Sequence, residues 1–588
     1  MVKNNIKRIT RLLTKEQTKI LETVFILMLP ALLTKILGQF FNLILASFYG
    51  VEDSRLNQFI VADAIPELLT AVLMVGAVGT IVIPVLISSK EEKGEEEFFK
   101  VYSSILNATV LVFSVISLLL IIFADQIIPT AFQLAGVELL STKAELANIA
   151  NMMRALILPQ LILGVSVFIS SGLNIYNRYI IPQLSPLFYN IGRLCAIFLL
   201  VPMLDYSPWA LVIAVYVGAF FHLIIPLPLF LSLKIKYYPL INFRDKYLQE
   251  ILKLGLPRIF VLASDQIGLM VNSFLSAAFQ GGPAALTFAK SIYLVVPALF
   301  GYTFSYASYP TLAKLFIKKE YKEARILINR NLNQIIFMAL PFVVTIMVLR
   351  VPIVRLFFGL IPGTELSLIG TYQVAWLLLF FSFGLPFITA RWFLFSTYYA
   401  IKDTLIPSIV SFLSLTSVVV LSILFTNLLS HTPDFSISSI DWSIANFFSR
   451  AETPLRPGVG GISLAMSITY SVEFIILIYI FNRRKLNLGL RKLVTDLSKK
   501  MVAATIMFLF MYFTYKTWVP LSIAFPESTK STFFIGSTTL NLFLLTLVTV
   551  APGFLIYYLI CHYFRVEDLT ILKKFLNPIF KVGGLRIK

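Results

Sequence analysis

Cysteine and histidine are almost missing from this sequence, which holds 2 Cys and 3 His in 588 residues. Cys195 and Cys561 lie far apart and have no neighbours at metal-ligand spacing, which argues against a disulfide framework and a metal site. His222, His431 and His562 are scattered and add nothing to that. Charge is scarce too: 13% of residues are charged against 58% hydrophobic, whereas soluble domains carry about 25% charged residues. With a mean hydropathy of +0.85, a water-soluble globular protein is excluded. The segments between apolar runs show no nucleophile and base constellation, metal cluster or phosphate loop, so no enzyme, catalytic residue, metal or cofactor is expected.

What the chain has instead is long apolar runs. Each is about 20 residues or more, enough to cross roughly 30 Å of hydrocarbon as helix, and none shows the short alternation of a barrel strand. The expected fold is an all-α polytopic membrane protein with about fourteen spans. They start near Thr23, Phe59, Val101, Arg154, Leu184, Trp209, Pro257, Ala284, Gln334, Thr371, Leu405, Gly461, Met501 and Phe533. The amino-terminal segment carries Lys3, Lys7, Arg8, Arg11, Lys15 and Lys19, and the apolar run after it is too long for a removable signal peptide. Further cations fall in alternate loops, from Lys234 to Lys246, Lys314 to Arg330 and Arg483 to Lys500, while the opposite loops at 280–283 and 362–365 have almost none. Excess Lys and Arg mark cytoplasmic loops, so both termini are expected in the cytoplasm. The net charge of +19 then needs no nucleic acid partner.

Prolines inside the spans repeat. Pro30, Pro84, Pro159 and Pro182 recur as Pro257, Pro310, Pro386 and Pro407 at offsets of 227, 226, 227 and 225. Each removes a backbone hydrogen bond and kinks its helix, so four near-equal offsets point to a duplicated unit of six helices. An even number of spans keeps the two copies parallel, the arrangement of transporters whose two lobes rock about a central cavity. The expected organisation is a basic segment at 1–22, an N-terminal lobe at 23–235 (spans 1–6) and a C-terminal lobe at 248–482 (spans 7–12). An extracytoplasmic loop at 430–460 interrupts the second lobe, two extra helices occupy 499–563, and a cytoplasmic tail runs over 564–588.

An ionisable residue deep in a span costs at least ~2.5 kcal/mol and normally faces a bundle interior or an aqueous cavity. Lys35 lies about twelve residues, or roughly 18 Å, into the first span, with Gln39 and Asn42 on the same helical face. Asp63, Glu67 and Thr70 form one face of span 2. Span 7 carries Arg258, Asp265, Gln266 and Asn272, span 8 carries Lys290 and Ser291, and span 10 carries Arg391. One expectation is a cavity in which Lys35, Gln39, Asn42, Lys290, Ser291, Arg258, Gln266, Asn272 and Arg391 contact an anionic head group such as a diphosphate. Asp63, Glu67 and Asp265 would then gate it or couple it to an ion. The structural alternative is that these charges only pair with each other, for instance Lys35 with Asp63 or Glu67.

Several stretches resemble the lipid II flippases of murein biosynthesis, the MurJ or MviN family within the superfamily of multidrug and polysaccharide exporters. They are "SSGLNIYNRYIIPQLSPLFYNIG" from Ser170, "DQIGLMVNSFLSAAF" from Asp265, "FAKSIYLVVPALFGYTFSYASYPTLAKLF" from Phe288, "FGLPFITARWFLFSTYYAIKDTLIPS" from Phe383 and "GVGGISLAMSITYSVEF" from Gly458. The resemblance implies fourteen spans, the added pair forming a lipid groove, and movement of an undecaprenyl-diphosphate-linked disaccharide-pentapeptide to the outer leaflet by alternating access. Membrane lipids and cell-wall synthesis proteins are the other partners it implies. The family's first basic residue on span 1 is kept as Lys35 in "TKILG", whereas its second basic residue and the following acid read Phe41 and Asn42. In span 8 the family's "ADR" reads "AKS", with Lys290 one place ahead of Ser291.

Two other functions stay open at this point. An ion-coupled exporter of the multidrug or polysaccharide class would use Asp63, Glu67 or Asp265 to bind cations. A degenerate transporter fold could serve as a scaffold for a cell-wall complex, docking partners on the basic loop from Arg483 to Lys500.

Overall fold

A computed structural model of the chain describes residues 20–72, 82–134, 142–359, 364–430, 457–518, 537–566 and 568–569. The basic segment up to residue 19, most of the 430–460 loop and the tail beyond 569 lie outside the described residues, as does the side chain of Arg258. Every described element is helical, as expected where hydrocarbon leaves each backbone polar group to be satisfied within its own segment. By its internal contacts the chain falls into two compact units, Met1–Ala284 and Ala285–Lys588.

The first unit opens with α1 (Ile20–Tyr49), α2 (Ser54–Leu69), α3 (Ile83–Lys93), α4 (Glu95–Ile122) and α5 (Ala124–Leu134). It continues through α6 (Lys143–Ile175), α7 (Ile180–Met203), α8 (Pro208–Ile224), α9 (Leu227–Ser232) and α10 (Lys246–Ser276). The starts are set by local chemistry. Asp53 accepts from the Arg55 backbone to begin α2, Thr142 and Glu145 form a capping box on α6, Ser207 precedes Pro208 on α8, and Asp245 caps Tyr247 and Leu248 on α10. Phe98, Tyr102, Phe168 and Tyr247 share one apolar core, in which the Tyr102 hydroxyl donates to the Phe168 carbonyl at 2.8 Å. Helix α10, the first span of the second proline repeat, packs on α2, α3, α4 and α5 of this unit.

The second unit begins in the first turn of α11 (Gly282–Tyr293), which is followed by a π-helical turn at Pro297–Tyr302 and α12 (Thr303–Ile317). The chain bends by 41° across this break, where Pro297 cannot donate into the ladder. Then come α13 (Tyr321–Phe358), α14 (Leu368–Ala400), α15 (Leu405–Ser430), α16 (Gly460–Arg484), α17 (Leu490–Trp518) and α18 (Ser537–Tyr563). Helices α6 and α14 are both 33 residues long and carry Pro159 and Pro386 inside, members of the same repeat pair. Helix α16 packs closely on α14 and α15 because small residues face the contacts. A Cβ on Gly384 would lie 2.6 Å from the Ser467 Cα, an approach that only glycine allows.

The fold is an all-α polytopic membrane protein. Among the described residues ten helices are long and apolar enough to span a bilayer, eleven when the bent α11 to α12 segment counts as one span. The other three expected spans correspond to α2 with α3, to α10 and to α17, which do not pass that test.

Candidate functional site

In the first unit the polar residues gather where α1, α2, α6 and α7 meet. Lys35 is exposed on α1, beside the exposed side chains of Leu32, Ile36 and Phe40. Among the described residues it has no carboxylate within 4 Å, so pairing with Asp63 or Glu67 is not realised here. Gln39 and Asn42 are half-buried, and the Gln39 amide nitrogen is enclosed without a described partner. Helix α7 runs along the same stretch: the Asn190 amide donates to the Thr34 carbonyl at 3.2 Å.

On α2, Asp63 is half-buried and Glu67 exposed. The Gln160 amide on α6 donates to Asp63 Oδ1 at 3.3 Å, and the Thr70 hydroxyl donates to Gln160 Oε1 at 2.8 Å. Residues 63 and 70 therefore share the face that their spacing implied, joined through one glutamine. Asp63 also faces Glu67 and the guanidinium of Arg193. Arg193, on α7, lies over the Phe41 ring with its Cζ 3.6 Å from the centroid, and 5.1 Å from that of Tyr189. Tyr189 in turn meets His222 edge-on at 6.4 Å. His222 also lines a cavity of about 250 Å³, together with Ser170, Asn174, Gln183 and Pro186 among others.

On α10, Asp265 and Gln266 are half-buried, while Asn272 is fully enclosed with neither amide atom bonded to a described partner. In the second unit Lys290 and Ser291 are half-buried on α11, and the Ser291 hydroxyl donates to the Phe288 carbonyl at 2.8 Å. Arg391 is placed differently from a cavity residue: its side chain is 1% exposed and ion-paired with Glu473, itself 0% exposed. The Ser411 hydroxyl donates to the second Glu473 oxygen at 3.0 Å, and Tyr470 and Phe395 flank the guanidinium. A pair this enclosed costs several kcal/mol of desolvation per ion and persists through mutual hydrogen bonding.

Arg193 and Gln160 were not among the residues expected from the sequence. Arg193 was detectable by the signal that singles out Lys35, a lone cation inside an apolar run ("YNIGRLCAIF"). Gln160 was not, because a neutral amide beside an intrahelical proline is unremarkable until Asp63 and Thr70 are placed against it.

Outside the membrane-spanning segments, the end of α3 is tied to the start of α10. Lys246 Nζ and the Tyr247 hydroxyl both donate to Glu92 Oε2, at 2.7 and 2.9 Å. These two hydrogen bonds hold the Glu92 carboxyl below the usual carboxylate range.

The profile of the family described as lipid II flippase MurJ matches residues 46–529. The probable lipid II flippase MurJ of Buchnera aphidicola subsp. Schizaphis graminum is 27% identical over 397 residues, covering 67% of this chain and 76% of that one. That of Borreliella burgdorferi is 22% identical over 499 residues, covering 85% and 90%. A solved lipid II flippase MurJ in an inward closed conformation shares the fold with a TM-score of 0.69 at 21% identity, covering 93% of this chain and 100% of that one. An inward-facing multidrug resistance transporter of the MATE family gives 0.56 at 14% identity, covering 77% and 94%. The polytopic helical fold and the profile match over most of the chain lead to one conclusion: the chain belongs to the lipid II flippase MurJ family.

Proposed function

We propose that this chain moves lipid II, an undecaprenyl-diphosphate-linked disaccharide-pentapeptide, from the inner to the outer leaflet of the bacterial cytoplasmic membrane by alternating access. The observation that carries the proposal is the family match over residues 46–529. Chemistry within the first unit supports it. Lys35 is a cation inside an apolar helix, exposed and free of a described carboxylate, as a contact for a diphosphate must be. In the second unit Lys290, half-buried on α11, is a further candidate cation; Arg391 is not, because Glu473 already occupies its hydrogen-bonding edge. On the charge distribution of the loops, both termini lie in the cytoplasm.

Depletion of the protein in its own cells, with lipid II counted in each leaflet, tests the proposal. Accumulation in the inner leaflet is expected, and normal outward flux in depleted cells would refute it. Lys35→Gln should then fail to restore flux while the variant folds as the parent does, since the side chain is exposed and its loss leaves no buried charge.

A further inference from the structure

Two arginines in this chain rest on aromatic rings inside the helical bundle of their own unit, and they differ in what their hydrogen-bonding edges meet. Arg391 lies against Tyr470 and Phe395 and is consumed by Glu473. Arg193 lies against Phe41 and Tyr189, and no described carboxylate comes within 4 Å of it. Stacking uses the flat faces of a guanidinium and leaves its rim of N–H donors in the plane, where a carboxylate or phosphate binds in a forked manner.

The stem of Arg193 is held from the other side. A Cβ at Gly218 of α8 would lie 2.6 Å from the Arg193 Cγ and 2.9 Å from the Tyr189 ring, so the bare glycine is what lets the side chain lie down onto Phe41. The Arg193 Nε is enclosed without a described partner. Asp63 faces this group and also Glu67, one helical turn further along α2, and Tyr189 faces all three. Gln160 steers Asp63 by donating to its Oδ1. The carboxylates are thus near the guanidinium without being bonded to it.

We infer that Arg193 is a second cation, beyond Lys35, on which the first unit receives the anionic phosphate group of its lipid cargo, and that Asp63 and Glu67 are resident counter-charges competing with that group for it. This rests on the lipid II flippase proposal. Two acidic side chains stand beside a single guanidinium, so an incoming diphosphate binds Arg193 in competition with them. A transporter profits from that balance, because a grip strong enough to capture and weak enough to release is needed at every cycle. The arrangement also gives a role to the acids: removing one strengthens binding and slows release, whereas acids that merely held Arg193 in place would weaken binding when removed.

The test uses the full chain in lipid nanodiscs, with undecaprenyl diphosphate as probe and uncharged undecaprenol as reference, each titrated by native mass spectrometry. Arg193→Gln is expected to weaken diphosphate binding about ten- to hundredfold, the worth of a charged hydrogen-bonding group, with undecaprenol binding unchanged. Arg193→Lys keeps the charge, loses the fork and should fall between. Gly218→Ala keeps every charge but displaces the arginine stem, and should weaken diphosphate binding too. Asp63→Asn should tighten it. Thermal unfolding of each variant separates lost binding from lost fold, and if Arg193→Gln does not fold, Arg193→Lys and Asp63→Asn decide. Wild-type preference for the diphosphate that survives Arg193→Gln, or that persists unweakened in Arg193→Lys with no gain in Asp63→Asn, overturns the role of Arg193 and leaves the flippase proposal standing. A wild-type protein that binds undecaprenyl diphosphate no better than undecaprenol overturns both.

Discussion

Arg391 and Glu473 form an ion pair that solvent does not reach, their side chains 1% and 0% exposed. It joins α14 to α16 across 82 residues of sequence, and Ser411 brings in α15 by donating to the same carboxylate. Removing one partner strands the other charge in the core. Arg391→Leu is therefore expected to destabilise the protein by about 3–5 kcal/mol, and the double substitution Arg391→Leu with Glu473→Leu to recover most of that loss. Thermal unfolding of the purified single and double variants measures both. A single variant of parental stability with abolished transport would instead make the pair part of the transport cycle.

Lys500 is a second enclosed cation, in a different role. Its Nζ donates to the Asn333 carbonyl at 2.9 Å and side-chain oxygen at 2.8 Å, and pairs with Asp568 Oδ2 at 2.6 Å. It fastens α17 to α13 and to the chain just beyond α18. Lys500→Met should cost about 3 kcal/mol by removing the enclosed cation paired with Asp568, and limited proteolysis should show the last two helices released before the rest of the unit. Simultaneous loosening of α14 would contradict a local clasp.

Gly384 permits the close approach of α14 and α16, with the site of a Cβ only 2.6 Å from the Ser467 Cα. Because that neighbour is backbone, the helices themselves would have to separate. Gly384→Ala is expected to destabilise by about 1–3 kcal/mol. At Gly38, where the nearest atom is the Asn190 amide nitrogen at 3.9 Å, the same change should be neutral or slightly stabilising, since alanine is the better helix former. Denaturation of the two variants in parallel tests the contrast.

Glu92 links the end of α3 to Lys246 and Tyr247 at the start of α10, with its carboxyl held below the usual value of 4.5. A carboxyl lowered by folding contributes fully above its unfolded value, and that contribution is lost as pH falls through the lowered one. The hydrogen-exchange protection of the first turn of α10, taken relative to the intrinsic amide rate at each pH, should therefore be constant near neutral pH and fall below about pH 4. Glu92→Gln should remove this acid dependence; an unchanged pH profile in that variant would assign it to another group.

Much of this arrangement was legible in one dimension. Lys35, twelve residues into an apolar run, was marked by depth alone, and Asp63 with Thr70 by a spacing of seven; the structure puts Lys35 on an exposed stretch of α1 and joins Asp63 to Thr70 through Gln160. Pro159 and Pro386, paired by the proline offset, lie inside two helices that are both 33 residues long. Other residues were not legible, because their roles depend on what lies across the bundle. Arg391 carries the same sequence signal as Lys35 but meets Glu473. Arg193 was passed over, yet meets two aromatic rings with no described carboxylate in bonding distance.

The sequence by itself determined the membrane-embedded helical class and where most of the apolar helices lie, since run length and proline act on neighbours within a few turns. Only the tertiary structure decided which buried charges are neutralised and which stay open. An ion pair depends on side chains brought within a few ångströms from distant helices, and in a low-dielectric bundle that proximity outweighs any preference a residue has on its own helix.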